Sequence, residues 1–192
     1  MISPECSSLI HALDLISCPA IWLDRNGTVL AVSQRASAHF DGEFSVRGRR
    51  LYVTDSQARA RLDELIDRFR LEFEKRVPTA SLIVVNRSNH RPIVLRAILK
   101  GSESPCEAGI LLVLTDLDEM PVISQASLMA VFSLTPVQAQ LASLLVQGKS
   151  LKEIATQLHI SSGTARNHLK AVFVRTATRR QSELVLLLSR IR

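Results

Sequence analysis

Hydrophobic and polar positions divide the chain into a part that mixes helices with strands and a part with helical spacing only. Residues 9–17 carry apolar side chains at helical spacing and predict a short amphipathic helix. Residues 20–24 and 28–33 predict two strands, and the Asn26-Gly27 pair between them is typical of tight hairpin turns, which need positive φ. The pattern therefore predicts a helix followed by a β-hairpin.

Two helices and then three strands are predicted to follow the hairpin. The longer helix has apolar residues three or four positions apart, and the strands are short apolar runs separated by a polar turn and a loop. The predicted limits are 35–40 and 55–73 for the helices and 80–85, 92–99 and 109–115 for the strands, with the turn at 86–91 and the loop at 101–107. Consecutive strands favour an antiparallel sheet of about five strands with helices on one face.

This order of elements resembles a PAS sensor domain over residues 9–118. The resemblance rests also on Leu-Asp-Arg-Asn-Gly at 23–27 and Leu-Leu-Val-Leu-Thr-Asp-Leu at 111–117. It implies a PAS-like sensor or dimerisation domain with flanking helices.

Residues 119–134 are predicted to form a linker helix. Pro121 can begin it, because the first helical position needs no N–H donor. The helix carries an apolar stripe of Val122, Ile123, Ala126, Met129, Ala130 and Val131. Two interpretations remain open for this stripe, namely packing onto the adjacent sheet or a coiled coil between two protomers.

The C-terminal part is predicted to hold four short helices. Thr135 is a suitable N-cap for the first, with Pro136 at its first helical position and Gly148 after its end. Ser150 and Glu153 have capping-box spacing at the start of the second. The third helix begins after Ser161, and a fourth is predicted at about 180–189.

The third helix has one apolar and one polar face. Ala165, Leu169 and Val172 are expected to turn inward, which leaves side chains suited to base edges outside. Arginine can hold guanine, and asparagine adenine, through two hydrogen bonds each. The pattern favours a helix that reads DNA.

These motifs resemble a LuxR-type (GerE-like) helix-turn-helix over residues 129–192, with its core at 151–170. The resemblance rests on Leu134-Thr-Pro, Leu144, Gly148, Ser150, Glu153-Ile-Ala, Leu158, Ile160-Ser, Thr164, Asn167-His-Leu and Glu183-Leu. It implies base contacts by Arg166, Asn167 and Lys170. It further implies phosphate contacts by Lys152, Thr164 and Arg180, and dimer contacts by Leu184, Leu187 and Leu188.

The sequence departs from this family at four places. Ala165 stands where valine is usual, and Gly163 lies in the first turn of the third helix. His159 takes a turn position often held by glycine, and Arg-Thr-Ala-Thr at 175–178 replaces Lys-Leu-Gly-Val. None of these changes removes a DNA-facing group, so they bear on stability rather than on the class of protein.

The charge distribution agrees with a polyanion partner for one part of the chain. Residues 135–192 hold nine Lys or Arg and two Glu, hence +7, whereas residues 1–134 hold fifteen basic and sixteen acidic side chains, hence −1. A basic segment beside a near-neutral one indicates that only the former binds a polyanion.

Other classes of protein receive little support from the sequence. The three unevenly spaced cysteines imply no disulfide framework, and no Cys/His cluster has metal-ligand spacing. No nucleophile elbow, phosphate loop or other catalytic motif occurs, so no enzyme and no catalytic residue is predicted. Neither a signal peptide nor a membrane span is predicted, and a cytoplasmic location is expected.

No cofactor is predicted for the PAS-like domain. Cys18 precedes a proline and does not fit a photoreactive flavin motif, and packing is favoured over haem ligation for His39. Trp22 is expected in the core or on a dimer face. A small apolar ligand between sheet and helices, and protein contact alone, remain open.

The sequence thus predicts an α+β protein with an N-terminal PAS-like antiparallel sheet and a C-terminal all-α four-helix domain. We expect a homodimeric transcription regulator that reads an inverted-repeat operator in double-stranded DNA. RNA polymerase is a further candidate partner. The alternative is an interaction module that uses the helix-turn-helix for dimerisation or partner docking, without an operator of its own.

Overall fold

The chain forms two compact units, Met1–Glu119 and Met120–Arg192. A computed structural model describes residues 4–71, 80–100, 108–120 and 123–191. The first unit mixes helices with strands and the second is helical, which confirms the predicted α+β class. The end of the 55–73 helix, the 101–107 loop with Cys106, and Pro121 and Val122 of the predicted linker helix lie outside the described residues. The domain limits 9–118, 119–134 and 129–192 stay predictions.

The first unit contains three helices and seven strands among the described residues. Their limits are α1 Pro4–Leu15, β1 Ala20–Leu23, β2 Val29–Val32, α2 Gln34–Ser37, β3 Phe44–Arg47, β4 Arg50–Val53, α3 Ser56–Leu71, β5 Ala80–Val85, β6 Ile93–Lys100 and β7 Gly109–Asp116.

Five of these strands form one antiparallel sheet in the order β2-β1-β7-β6-β5. β1 lies between β2 and β7, where Trp22 pairs with Ala31 on one side and Leu111 on the other. The first and last parts of the unit therefore meet in the middle of the sheet. This sheet with its flanking helices confirms the predicted PAS-like arrangement.

The turn between β1 and β2 differs from the prediction in one respect. Only Gly27 has positive φ, at 75°, and Asn26 does not. The carboxylate of Asp24 accepts hydrogen bonds from the N–H groups of Asn26 and Thr28, both at 2.8 Å. An added Cβ at Gly27 would lie 2.6 Å from Cδ1 of Ile66, so the glycine also permits close approach of α3.

Helices cover both faces of the sheet. α3 buries Leu62, Leu65 and Phe69 in the main core, which also contains Ile21 and Leu23 of β1. The alternate residues of β1, Ala20 and Trp22, pack with Ile10 of α1 in a second cluster. Successive side chains of a strand point to opposite faces. The expectation of helices on one face was therefore wrong for α1.

A separate two-stranded sheet of β3 and β4 was not predicted. Phe44 pairs with Val53 at one end, and Arg47 pairs with Arg50 beside the turn. Phe44 and Val53 are buried in the main core and anchor this hairpin to the unit.

The second unit contains five helices among the described residues, namely α4 Gln125–Phe132, α5 Pro136–Val146, α6 Leu151–Gln157, α7 Ser162–Thr176 and α8 Gln181–Leu188. α4 begins later than the predicted linker helix, because Ser124 is its N-cap. Leu128 of α4 is fully buried in the core shared with α5, and Ser143 donates a hydrogen bond to the carbonyl of Ile123 at 3.4 Å. Leu128 thus packs in the core of the helical unit.

Within the described ranges, no single helix is long and apolar enough to cross a membrane. α4 and α5 meet that test only as a pair, bent by 116°.

Candidate nucleic-acid interface

Side-chain caps fix the starts of the helices around the candidate interface. Thr135 and Gln138 form a capping box on α5, in which the Gln138 Oε1 accepts the Thr135 N–H at 3.0 Å. Ser150 and Glu153 form another on α6, where a carboxylate oxygen of Glu153 accepts the Ser150 N–H at 2.7 Å. These bonds satisfy backbone donors that have no partner within the helix. The predicted caps at Thr135 and Ser150 are confirmed.

The turn from α6 into α7 is a Schellman turn followed by an N-cap. The N–H of Ile160 donates to the carbonyl of Ala155 at 3.0 Å, and that of His159 to Thr156 at 3.2 Å. This pattern requires the left-handed region, and His159 has φ +53°. Ser161 then caps α7 by accepting the N–H of Thr164 at 3.0 Å. The turn is short and fully bonded, so it fixes the direction of α7.

The inner face of α7 packs into the core of the second unit. Ala165 and Val172 are fully buried and Leu169 is nearly so, as predicted. Ile154 and Ala155 of α6 belong to the same core. The small side chains of Ala155 and Ala165 permit close packing of the two helices, which fixes the position of α7 against α6.

The opposite face of α7 carries the predicted base-contacting residues. Arg166, Asn167 and Lys170 are all exposed. Lys170 follows Arg166 by four residues and Asn167 by three, so it neighbours both on the helix surface. Thr164 is exposed as well, with its hydroxyl 2.9 Å from that of Ser161. Their contact with DNA stays a prediction.

The predicted phosphate-contacting residues on the other helices are also at the surface. Lys152 is exposed in the first turn of α6. Arg180 is exposed at the N-cap position of α8 and makes no side-chain cap bond there. Backbone N–H groups and cationic side chains at helix starts suit phosphate oxygens.

No acidic side chain neutralises this surface among the described residues. The only acids between positions 135 and 192 are Glu153 and Glu183. Glu153 holds the Ser150 cap, and a carboxylate oxygen of Glu183 accepts the N–H of Arg179 at 2.8 Å. Hydrogen bonds from the Ser150 side chain and backbone hold the pKa of Glu153 below its usual value. Both acids bond to backbone N–H groups, which leaves the exposed cations free to bind an external anion.

The leucines assigned to dimer contacts are not equally accessible. Leu184 and Leu188 are fully buried in the core of the second unit, and Leu187 is half-buried. Leu184 and Leu188 face the core of their own unit and not outward, as the predicted dimer contacts require. Leu186 is 60% exposed on the same helix and Val174 is 81% exposed on α7. Pairing of two protomers through α8 stays a prediction, and its candidate contact residue is now Leu186 in place of Leu184 and Leu188.

The first unit holds an ionic cluster that the sequence pattern did not reveal. The Arg87 guanidinium is 4% exposed and bonds to a carboxylate oxygen of Asp116 at 2.7 Å. Burial raises the pKa of Asp116, but hydrogen bonds from the Asp118 N–H and from Arg87 outweigh it and lower the pKa overall. His39 has Nδ1 3.3 Å from Asp116 and Nε2 3.7 Å from Glu119. The partners come from distant positions, which periodicity cannot bring together.

These contacts bear on the candidate cofactor residues. Both ring nitrogens of His39 lie beside carboxylates, which suits an ionic cluster better than a haem ligand. Trp22 is buried under α1, and its Nε1 has no hydrogen-bond partner among the residues that the structure describes. This confirms a core position for Trp22.

An open depression of about 600 Å³ lies in the first unit, with Glu43, Asp55, Asn86 and Ser88 in its lining. The Glu43 carboxylate accepts the Ser88 hydroxyl at 2.6 Å, and Asp55 accepts the Asn86 N–H at 2.9 Å. The backbone bond from Asn86 is the main reason why the pKa of Asp55 is lowered. This lining is polar and differs from the apolar hollow expected for a ligand.

Comparison with protein families places the helical part of the chain. Residues 132–188 match GerE, the luxR family of bacterial regulatory proteins. This match agrees with the LuxR-type helix-turn-helix resemblance of the sequence, and it covers α5, α6, α7 and α8. No curated protein matches the sequence.

Several solved structures are similar to the chain over most of its length. A phage VqmA–DPO complex is 20% identical, covering 96% of this chain and 88% of that chain, with a TM-score of 0.42. A Vibrio cholerae VqmA–ligand–DNA complex is 17% identical, covering 93% and 88%, with a TM-score of 0.37. The Rhodobacter sphaeroides LOV protein is 11% identical, covering 98% and 94%, with a TM-score of 0.36. RNA polymerase gains no support as a partner from these similarities.

Proposed function

We propose that the protein is a sequence-specific transcription regulator that inserts α7 into the major groove of duplex DNA. Arg166, Asn167 and Lys170 contact base edges in this proposal, and Lys152, Thr164 and Arg180 contact phosphates. The PAS-like unit modulates this binding.

The main support is the division of α7 into two faces. Its apolar side is anchored by Ala165, Leu169 and Val172, while Arg166 and Asn167 stand exposed opposite them. A rigid helix that presents one bidentate donor for guanine and one donor–acceptor pair for adenine suits direct readout, since each good pairing contributes roughly 1–3 kcal/mol of discrimination. The uncompensated +7 charge of residues 135–192 supplies affinity for the backbone.

We further propose that two protomers bind as a symmetric pair on an approximate inverted repeat. One recognition helix reads only a few base pairs, and a dimer doubles the site by placing two helices about one helical turn apart. The exposed Leu186 and Val174 are apolar side chains in the second unit that a partner protomer can cover.

The test compares Arg166→Ala with Lys152→Ala in a mobility-shift assay on genomic fragments and random duplex DNA. Arg166→Ala is expected to reduce the preference for specific fragments and to retain much of the general affinity. Lys152→Ala is expected to weaken binding to all sequences and to reduce the salt slope by about 1. Arg35→Ala, at an exposed arginine of the first unit, is the charge-matched control and is expected to change neither quantity.

Equal effects of Arg166→Ala and Lys152→Ala on specific and random DNA would refute these two roles. If the unmodified protein shows no preference for any genomic fragment over random DNA, the operator is refuted. The helix-turn-helix would then be a docking module, and cross-linking would identify its partner.

Two modes of control by the PAS-like unit remain as proposals, namely a small apolar ligand or protein contact alone. Native mass spectrometry of the purified protein separates them, because a retained metabolite adds a defined mass. An added mass supports the ligand, and the mass of the bare chain supports control by protein contact.

A further inference from the structure

The tip of the β3–β4 hairpin concentrates positive charge in a part of the chain, residues 1–134, whose net charge is −1. Its sequence is Arg47-Gly-Arg-Arg50, and all three arginines are exposed. Arg47 and Arg50 face each other as cross-strand partners. Like charges directly opposite in a hairpin disfavour the strand pairing.

The backbone of the turn is also unfavourable for one of these residues. Gly48 has φ +55° and Arg49 has φ +60°. Turns with two positive φ angles prefer asparagine or glycine at both positions, because a side chain with a long stem crowds the backbone there. The turn therefore holds an arginine where its conformation favours another residue.

A neighbouring turn adds a fourth arginine to this surface. The N–H of Val29 donates to the carbonyl of Arg49 at 2.8 Å, and Nη1 of Arg50 donates to the carbonyl of Asn26 at 3.0 Å. These bonds hold the β1–β2 turn, with exposed Arg25, against the hairpin. We call Arg25, Arg47, Arg49 and Arg50 together the arginine surface.

The charges of the arginine surface are not paired within the described residues, where no carboxylate oxygen lies within 4.0 Å of any of the four guanidinium groups. The Arg47 guanidinium stacks 3.6 Å from the ring centre of Tyr52, which orients it and leaves N–H donors available. By contrast, Arg87 of the same unit is buried with Asp116. The surface is thus not an ionic network. Arg47 and Arg50 each donate to one backbone carbonyl, that of Gly42 at 3.4 Å and that of Asn26 at 3.0 Å, and keep further N–H donors.

We propose that the arginine surface binds phosphates of duplex DNA as a backbone contact separate from the helix-turn-helix. Guanidinium groups match phosphate geometry through two hydrogen bonds, and such contacts add affinity without reading sequence. DNA is the favoured polyanion because the proposed function already brings the chain onto a duplex. This inference rests on that proposed function.

The test uses the full chain with the double substitution Arg49→Asn and Arg50→Gln. Asparagine suits the left-handed turn position, and glutamine removes the like-charge pair with Arg47. Thermal stability is therefore expected to stay equal or rise, which separates loss of binding from loss of fold. Arg35→Gln with Arg96→Gln, both exposed in the first unit, is the control with equal charge change.

The measured quantity is the dependence of affinity on KCl concentration for a random-sequence duplex of about 40 base pairs. This length leaves more than one helical turn of DNA on each side of a binding site that is itself about one turn long. Loss of two phosphate contacts is expected to reduce the slope of log K against log[KCl] by about 1.8, at about 0.9 per contact. An unchanged slope, or an equal reduction in the control pair, would overturn the proposal.

A parallel arm separates this inference from the proposed function. If Arg166→Ala relaxes sequence preference while the hairpin variant keeps the full salt slope, the inference fails and the proposed function stands. If Arg166→Ala changes nothing, the proposed function fails whatever the hairpin does. A hairpin variant that keeps its DNA slope but loses binding to poly-glutamate would make this a surface for acidic proteins, which also overturns the proposal.

Discussion

Both ends of the recognition region carry a left-handed residue that is not glycine. His159 lies before α7 with φ +53°, and Ala177 lies after it with φ +54°. Each sits in a Schellman turn, closed by bonds of 3.0 Å from the N–H of Ile160 to Ala155 and from the N–H of Thr178 to Phe173. The left-handed conformation costs an L-residue with a Cβ roughly 1–2 kcal/mol, and glycine avoids that cost.

The expected gain from His159→Gly follows from two opposing terms. Relief of the backbone strain contributes about 1–2 kcal/mol, and the greater freedom of glycine in the unfolded chain removes about 0.4–1 kcal/mol. The net stabilisation is about 1 kcal/mol, and the same holds for Ala177→Gly. For a unit of this size, 1 kcal/mol corresponds to a rise in melting temperature of roughly 4–8 °C.

Scanning calorimetry of the full chain measures this change in the transition of the second unit. The control is His159→Ala, which removes the imidazole but keeps the Cβ, so it should give none of the gain. The two glycine substitutions are far apart along the chain, and their effects should add to about 2 kcal/mol. A His159→Gly variant no more stable than His159→Ala would refute the strain at this turn.

Three further predictions concern the second unit. Gly163→Ala should raise the free energy of unfolding in urea by about 0.5 kcal/mol, because alanine favours the helix more than glycine does. The added Cβ would meet only the Ser161 Oγ, at an ordinary contact distance of 3.6 Å. A loss of stability would contradict this prediction. Glu153→Gln should make the free energy of unfolding less dependent on pH in the acid range. The pKa of Glu153 is lowered in the folded protein, so its cap stabilises the fold above the ordinary pKa of 4.5, and this stabilisation is lost as the pH falls below 4.5. An unchanged pH dependence in the acid range would contradict this prediction. Leu184→Ala truncates a buried side chain and should lower the free energy of unfolding by about 2–5 kcal/mol. Leu186→Ala changes an exposed side chain, so it should change stability by no more than about 0.5 kcal/mol but weaken self-association in sedimentation. The reverse pattern would restore the original dimer assignment.

Local signals account for most of what could be predicted from the sequence. Caps and apolar spacing act within one or two helical turns, so Ser150, Ser161 and the buried face at Ala165 and Leu169 were predictable. Helical periodicity alone does not say whether an apolar side chain meets the core of its own chain or another protomer. This is why Leu184 and Leu188 were assigned to the wrong surface.

Features that depend on distant partners were not predictable. Arg87, Asp116 and His39 are separated widely along the chain, and only the sheet order and the loops bring them together. The β3–β4 hairpin was missed because its strands have four residues each, with an arginine in each strand beside the turn. The alternation of Phe44 and Val46 with polar residues, and Gly48 after them, was the signal that could have revealed it.

Selection from a random duplex library with the full-length protein tests the central claim most directly. If the exposed face of α7 reads the major groove as half of a symmetric pair, the enriched sequences should share an approximate inverted repeat with half-sites about one helical turn apart. The Asn167→Ala variant should enrich a degenerate form of the same repeat. A library that shows no shared motif, or the same motif for Asn167→Ala and the unmodified protein, would contradict the account.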